Sequence, residues 1–170
     1  MSNYPRVPFD VATYVRHTRD NARTGLCFIC SIVAGDLDGH IVIAQDDVSI
    51  CFLAKSPTLL GYALLAPPAH RTDVVGDFTE DEYVELQRRV HRLGRAVSVV
   101  VPTERLYVLA LGSHQGNAHV HWHVAPLPPG VPYEQQQYAA LMHEYGFLDI
   151  PDDDQAALAV SIAQLMTRRP

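Results

Sequence analysis

From Tyr83 onward apolar residues return every third or fourth position, through Leu86, Val90, Leu93 and Val97. That spacing predicts one amphipathic helix over 80–100, with Thr79 and Glu82 in capping-box positions at its start and Pro102 beyond its end. Other segments read differently. Short apolar runs bounded by turn residues predict strands over 40–45, 48–53, 59–66, 104–111 and 119–126, with Asp46-Asp47 as a turn and Pro67-Pro68 as a stop. A short helix is expected over 11–15, and one or two helical turns over 26–34 ended by Gly35. Two more helices are expected over 133–145 and 152–167, after a proline-rich turn at 126–132. Strands in succession, interrupted by one long helix, imply an α+β fold built on an antiparallel sheet.

One of these strands carries chemistry. His119, His121 and His123 alternate with Val120, Trp122 and Val124. Side chains of an extended strand point to opposite faces in turn, so the three imidazoles share one face and the apolar residues the other. A single histidine on such a face is more often a satisfied core residue. Three in register are poor core material, because every buried ring nitrogen needs a partner, and good chemistry, because their ordinary pKa lies near neutrality.

Two neighbouring patterns bear on that row. The loop Gly112-Ser113-His114-Gln115-Gly116-Asn117 joins two glycines, which permit a sharp turn, to neutral donors and one more imidazole. Ser113, His114, Gln115, Gly116 and Asn117 are therefore the expected phosphate-binding residues. Such a pocket beside three imidazoles suits nucleotidyl transfer: a neutral ring attacks phosphorus while nearby donors hold the oxygens. Cys27 and Cys30 form a C-x-x-C pair, which is half of a tetrahedral zinc site, a redox pair, or two ordinary buried thiols. Histidines must complete any metal site, with His70 and one histidine of the row as candidates. Cys51, in an apolar run, reads as a small buried hydrophobe.

Composition narrows the partners. At 170 residues with 19% charged residues the chain reads as one ordinary globular domain. No apolar run is long enough to span a bilayer, and residues 1–9 hold no apolar signal core, so a cytoplasmic protein without a membrane partner is expected. The net charge of −6 argues against duplex nucleic acid. Lys55 is the single lysine among 13 basic residues, a bias that by itself carries no functional reading.

The block from His119 to Pro126 resembles the signature of the histidine triad (HIT) superfamily of nucleotide hydrolases and transferases, the diadenosine polyphosphate hydrolases among them. The resemblance covers most of residues 26–127: residues 27–35 resemble the opening of zinc-binding bacterial members, and residues 61–70 resemble a strand ending in proline and then histidine. It implies a five-stranded antiparallel sheet, dimerisation through that sheet, and His121 as a nucleophile that takes a nucleoside monophosphate from a phosphoanhydride or phosphoramidate. His119 and His123 would position and polarise the site. The implied zinc ligands are Cys27, Cys30, His70 and His119. Two positions depart from the pattern: Tyr62 stands where a histidine is common, and Ala54 where an aspartate often holds the ribose hydroxyls. The domain division that follows is an N-terminal segment at 1–25, the HIT domain at 26–127, and a C-terminal helical extension at 128–170 packed on the same domain, serving as packing, as a dimer element or as a wall of the site.

Two rival readings stand beside the enzyme. A metal-dependent hydrolase could use His119, His121 and His123 as ligands, but alternate strand positions spread their ends over about 13 Å, too far for one ion. A nucleotide-binding protein with little catalysis is motivated by Tyr62 and Ala54. A histidine nucleophile must be neutral, so activity is expected to fall below a pH of about 6.5.

Overall fold

The computed structural model describes residues 4–167. Its centre is a five-stranded antiparallel sheet of β2 (Val42–Gln45), β3 (Ile50–Leu53), β4 (Ala63–Ala66), β5 (Arg105–Ala110) and β6 (Trp122–Leu127), in the order β2-β3-β4-β6-β5. The expected sheet is therefore present. The Asp46 carboxylate accepts hydrogen bonds from the backbone of Val48 and Ser49, closing the β2–β3 hairpin.

Period-two alternation divides the sheet between two cores. Cys51, Leu53, Ala63, Leu65, Trp122 and Val124 face α3 (Glu80–Val100) and α5 (Asp152–Thr167). Ile50, Phe52, Leu64, Ala125 and Leu127 face α2 (Phe28–Ala34) and α4 (Gln136–Leu141). α3 has the predicted bounds, and its Thr79–Glu82 capping box is formed in both directions. It buries Leu86, Val90, Leu93 and Val97, each contributing about 1.5–3 kcal/mol by removal from water. Gly94 lets the helix lie close to the sheet, since a Cβ there would stand 2.7 Å from Leu106 Cδ2.

Several local expectations change. The short helix expected over 11–15 is α1, Val11–Thr24, capped by the Asp10 side chain and ended by Gly25 at φ 77°. It buries none of its residues, so core periodicity could not reveal its length. The strand expected from 59 begins only at Ala63, because Leu59–Tyr62 forms a turn through Gly61 at φ 79°. The histidine strand pairs only from Trp122; the Val120 amide instead donates to the Arg71 carbonyl at 2.7 Å. The helix expected over 133–145 is broken into α4 and flanking single turns, with Met142 extended and Gly146 at φ 83°. That break frees β7 (Phe147–Leu148) to pair with β1 (Arg6–Val7), which ties the N-terminal segment to the segment after α4. No helix among the described residues is long and apolar enough to cross a membrane.

Candidate functional site

The histidines leave the β6 end of the sheet facing α2, and each meets a different environment. His119 is buried, with Nε2 2.9 Å from the Pro67 carbonyl oxygen. A carbonyl only accepts, so Nε2 carries the proton and Nδ1 keeps its lone pair. That lone pair faces Cys27 Sγ at 3.4 Å and Cys30 Sγ at 3.5 Å, while His70 Nδ1 lies 3.3 Å from Cys30 Sγ. The four ligand atoms lie within 4.8 Å of one another. Donors about 2.0–2.3 Å from a tetrahedral zinc ion stand about 3.5 Å apart, so this Cys₂His₂ set fits zinc in both geometry and chemistry. The backbone carbonyl behind His119 is the usual device for fixing a ligand's tautomer. Without a cation the thiols are uncomfortable together: the Cys30 thiol is pushed up to about 11, by burial first and by Cys27 second. The Cys-x-x-Cys spacing works here because α2 starts at Phe28, so its first turn turns both sulfurs toward β6.

His121 is the middle ring. Its Nδ1 stands 2.6 Å from the carbonyl oxygen of His119, so Nδ1 donates and Nε2 is the free base. Burial lowers its pKa, with the His119 carbonyl opposing, and the ring is neutral near pH 7. The acid limit of a reaction that needs this base therefore lies below 6.5. His121 packs at 4.8 Å from the His123 ring and 6.2 Å from Phe28. His123 Nδ1 pairs with the Tyr62 hydroxyl at 3.1 Å. Burial, then His121 and His143, push His123 down to about 3, and burial raises the Tyr62 phenol. Tyr62 thus belongs to the histidine row, which its position as a departure from the family pattern did not reveal.

Two cavities flank the row. A small one of about 150 Å³ is lined by Ser113, His114, His119 and His121. A larger one of about 330 Å³ is lined by His123, Tyr62 and Asn117, floored by Phe28 and Phe52, and roofed by α1. Of the expected phosphate loop, Ser113 and His114 face the first cavity and Asn117 the second, whereas Gln115 and Gly116 line neither. The loop's backbone N–H groups at Ser113, Gln115 and Gly116 are bonded within the turn. Asn117 holds a left-handed backbone, φ 55°, and its amide donates to the Tyr14 hydroxyl of α1 at 3.1 Å. His121 and His123 do not join the cysteine cluster, so the geometry divides the row rather than gathering three histidines on one ion.

Residues that no motif announced complete the larger cavity: Tyr14, His17 and Asn21 from α1, His40 before β2, Lys55 after β3, and His143 after α4. Only the folding of α1 and of the segment after α4 against the β2–β3 side of the sheet brings them together. Ala54 also lines it.

Among known proteins, the chain is 30% identical over 104 residues to an uncharacterized HIT-like protein of Saccharolobus solfataricus, covering 59% of this chain and 73% of that one. It is 27% identical over 131 residues to the adenosine 5'-monophosphoramidase of Schizosaccharomyces pombe, covering 69% and 94%. A Zn-bound histidine triad family protein from Mycobacterium smegmatis shares the fold, with a TM-score of 0.62 at 21% identity over 82% of this chain and 92% of that one. No family model matches the chain.

Proposed function

The chain belongs to the histidine triad (HIT) family, and on that premise we propose that it is a nucleotide hydrolase or nucleotidyl transferase working through His121. The observation that carries this reading is the 2.6 Å contact of His121 Nδ1 with the His119 carbonyl. It fixes a neutral tautomer whose Nε2 lone pair can attack phosphorus. A P–N or P–O bond to the leaving group then breaks, its electron pair leaves with that group, and a proton is delivered to the departing nitrogen or oxygen. Water or another acceptor next attacks the phosphorus, the P–N bond to His121 breaks, and the nucleotide departs. Ser113 and His114, beside His121, are the donors nearest the reacting phosphate, while Asn117 and His123 face the nucleoside side. Phosphoramidates of adenosine lead the substrate classes, with dinucleoside polyphosphates next, since the Schizosaccharomyces pombe relative is an adenosine 5'-monophosphoramidase.

Zinc in the Cys27, Cys30, His70 and His119 cluster would act structurally, tying α2 and the turn after β4 to the base of the histidine row. The outer edge of β5 is unpaired among the described residues, and isologous pairing there would join two copies into the expected homodimer. Residues 26–127 act as the HIT domain on this reading, with the N- and C-terminal segments as walls of the larger cavity. Incubating the protein with an adenosine phosphoramidate and quenching in alkali tests the reaction. A nucleotidyl adduct on the unaltered protein, absent from His121→Ala together with turnover, is the expected result. Undiminished hydrolysis by a folded His121→Ala protein would reject the mechanism.

A further inference from the structure

The larger cavity has a chemical bias that catalysis at His121 does not require. In a chain of net charge −6, with 19 acidic residues, not one carboxylate lines it among the described residues. Its lining instead includes Lys55, the chain's single lysine, with His40, His17 and Asn21. The Lys55 ammonium makes no ion pair or hydrogen bond with another described residue, and it lies over the backbone of the β2 approach, 3.3 Å from where a Cβ on Gly39 would stand. Nδ1 of His40 is buried and has no hydrogen-bond partner. His40 is also fixed in place, packed against Phe28 at 6.3 Å and Phe52 at 6.2 Å.

Two vicinal hydroxyls are donors first, and a carboxylate is the group that answers them. An ammonium carries three donors and no acceptor, and an asparagine amide adds two donors to one carbonyl. The complement of this wall is an acceptor-rich, negatively charged group. A volume of about 330 Å³ is at the lower end of ligand pockets, which limits the occupant to one nucleoside-sized group with its substituents.

We propose that Lys55, with His40, His17 and Asn21, forms an anion subsite in the lining of this cavity, so that the favoured substrate is a nucleotide with a second phosphate on its ribose. This rests on the nucleotidyl-transfer reading above for the identity of the nucleotide, but not for the charge preference. Because Lys55 is exposed, the gain is that of a charge-assisted contact discounted for solvent, about tenfold in affinity, and it shrinks at high ionic strength.

Calorimetric titration of the full chain with 5'-AMP, adenosine 2',5'-bisphosphate and adenosine 3',5'-bisphosphate tests this. The expected result is that one bisphosphate binds about tenfold more tightly than 5'-AMP, and the 2' and 3' isomers identify which ribose oxygen carries the phosphate. The ratio of bisphosphate to monophosphate affinity should fall toward one in Lys55→Ala and below one in Lys55→Glu. Bisphosphates that bind no better than 5'-AMP, or a preference that survives Lys55→Glu, would overturn the subsite. Turnover of plain adenosine phosphoramidate is scored separately. Its absence with the bisphosphate preference intact rejects the catalytic reading alone, and its presence without the preference rejects the subsite alone.

Discussion

The two ends of the histidine row are a few residues apart in sequence and are built on opposite principles. His119 sits in a closed cluster with Cys27, Cys30 and His70, its tautomer fixed by Pro67 and its lone pair aimed at two sulfurs. His123 sits in the wall of an open cavity, held by a single phenol and surrounded by side chains from α1, the turn after β3 and the segment after α4. The first end needs four ligand atoms at fixed mutual distances, so short motifs specify it. The second must accommodate a ligand, so its walls come from scattered positions that share only a place in the fold. His121 lies between them, taking its tautomer from the first end and its neighbour ring from the second.

Breaking the cluster end should have the largest effect on the molecule as a whole. Cys27→Ser is expected to lower bound zinc well below the stoichiometry of the unaltered protein, measured by metal analysis. With a structural ion lost, stability should drop by about 3 kcal/mol or more, read as a fall of about 6–12 °C in thermal midpoint. An unchanged zinc content would remove Cys27 from the site.

At the cavity end the change should be catalytic and leave the metal alone. Tyr62→Phe keeps the ring's volume and deletes the hydroxyl bonded to His123. Loss of one buried hydrogen bond predicts about a tenfold lower kcat, with zinc content unchanged. If the variant lost metal as well, the two ends would not be separable in the way the geometry implies.

Acid should weaken the cavity end through His123. The unfolded His123 titrates near 6.5, whereas burial holds the folded group down to about 3. Below 6.5 the unfolded chain takes up a proton that the folded chain refuses. The stability associated with this group is thus fully present above 6.5 and is lost progressively as pH falls toward 3. His123→Asn should flatten the dependence of thermal midpoint on pH across that window, and an identical slope in the two proteins would refute the assignment.

The smallest effect belongs to the roof. A Cβ on Gly116 would stand 2.5 Å from Thr18 Cγ2, so α1 rests directly on the loop before the triad. Gly116→Ala should lift the roof and raise KM about threefold with kcat preserved, a coupling of about 0.7 kcal/mol. Adding Thr18→Ser, which removes the obstructing methyl, should restore KM. A KM that stays high in the double variant would mean that the loop, rather than the roof, had been damaged.

The sequence by itself determined what repeats or lies close along the chain. The bounds of α3 follow from its apolar period and its capping pair, the sheet from short apolar runs, and the shared face of the histidines from strand alternation. The four cysteine and histidine positions of the cluster were legible because residue types and a family resemblance marked them. Tertiary structure alone decided how the three histidines divide. His119 and His121 lie just off the ladder, so their rings are oriented by the Pro67 and His119 carbonyls rather than by strand pairing. It alone also decided that α1, which buries nothing in the core, roofs the larger cavity beside His143 and Lys55. No local period encodes that position, because it depends on the pairing of β1 with β7 and on contacts between residues about a hundred positions apart, such as Tyr14 with Asn117.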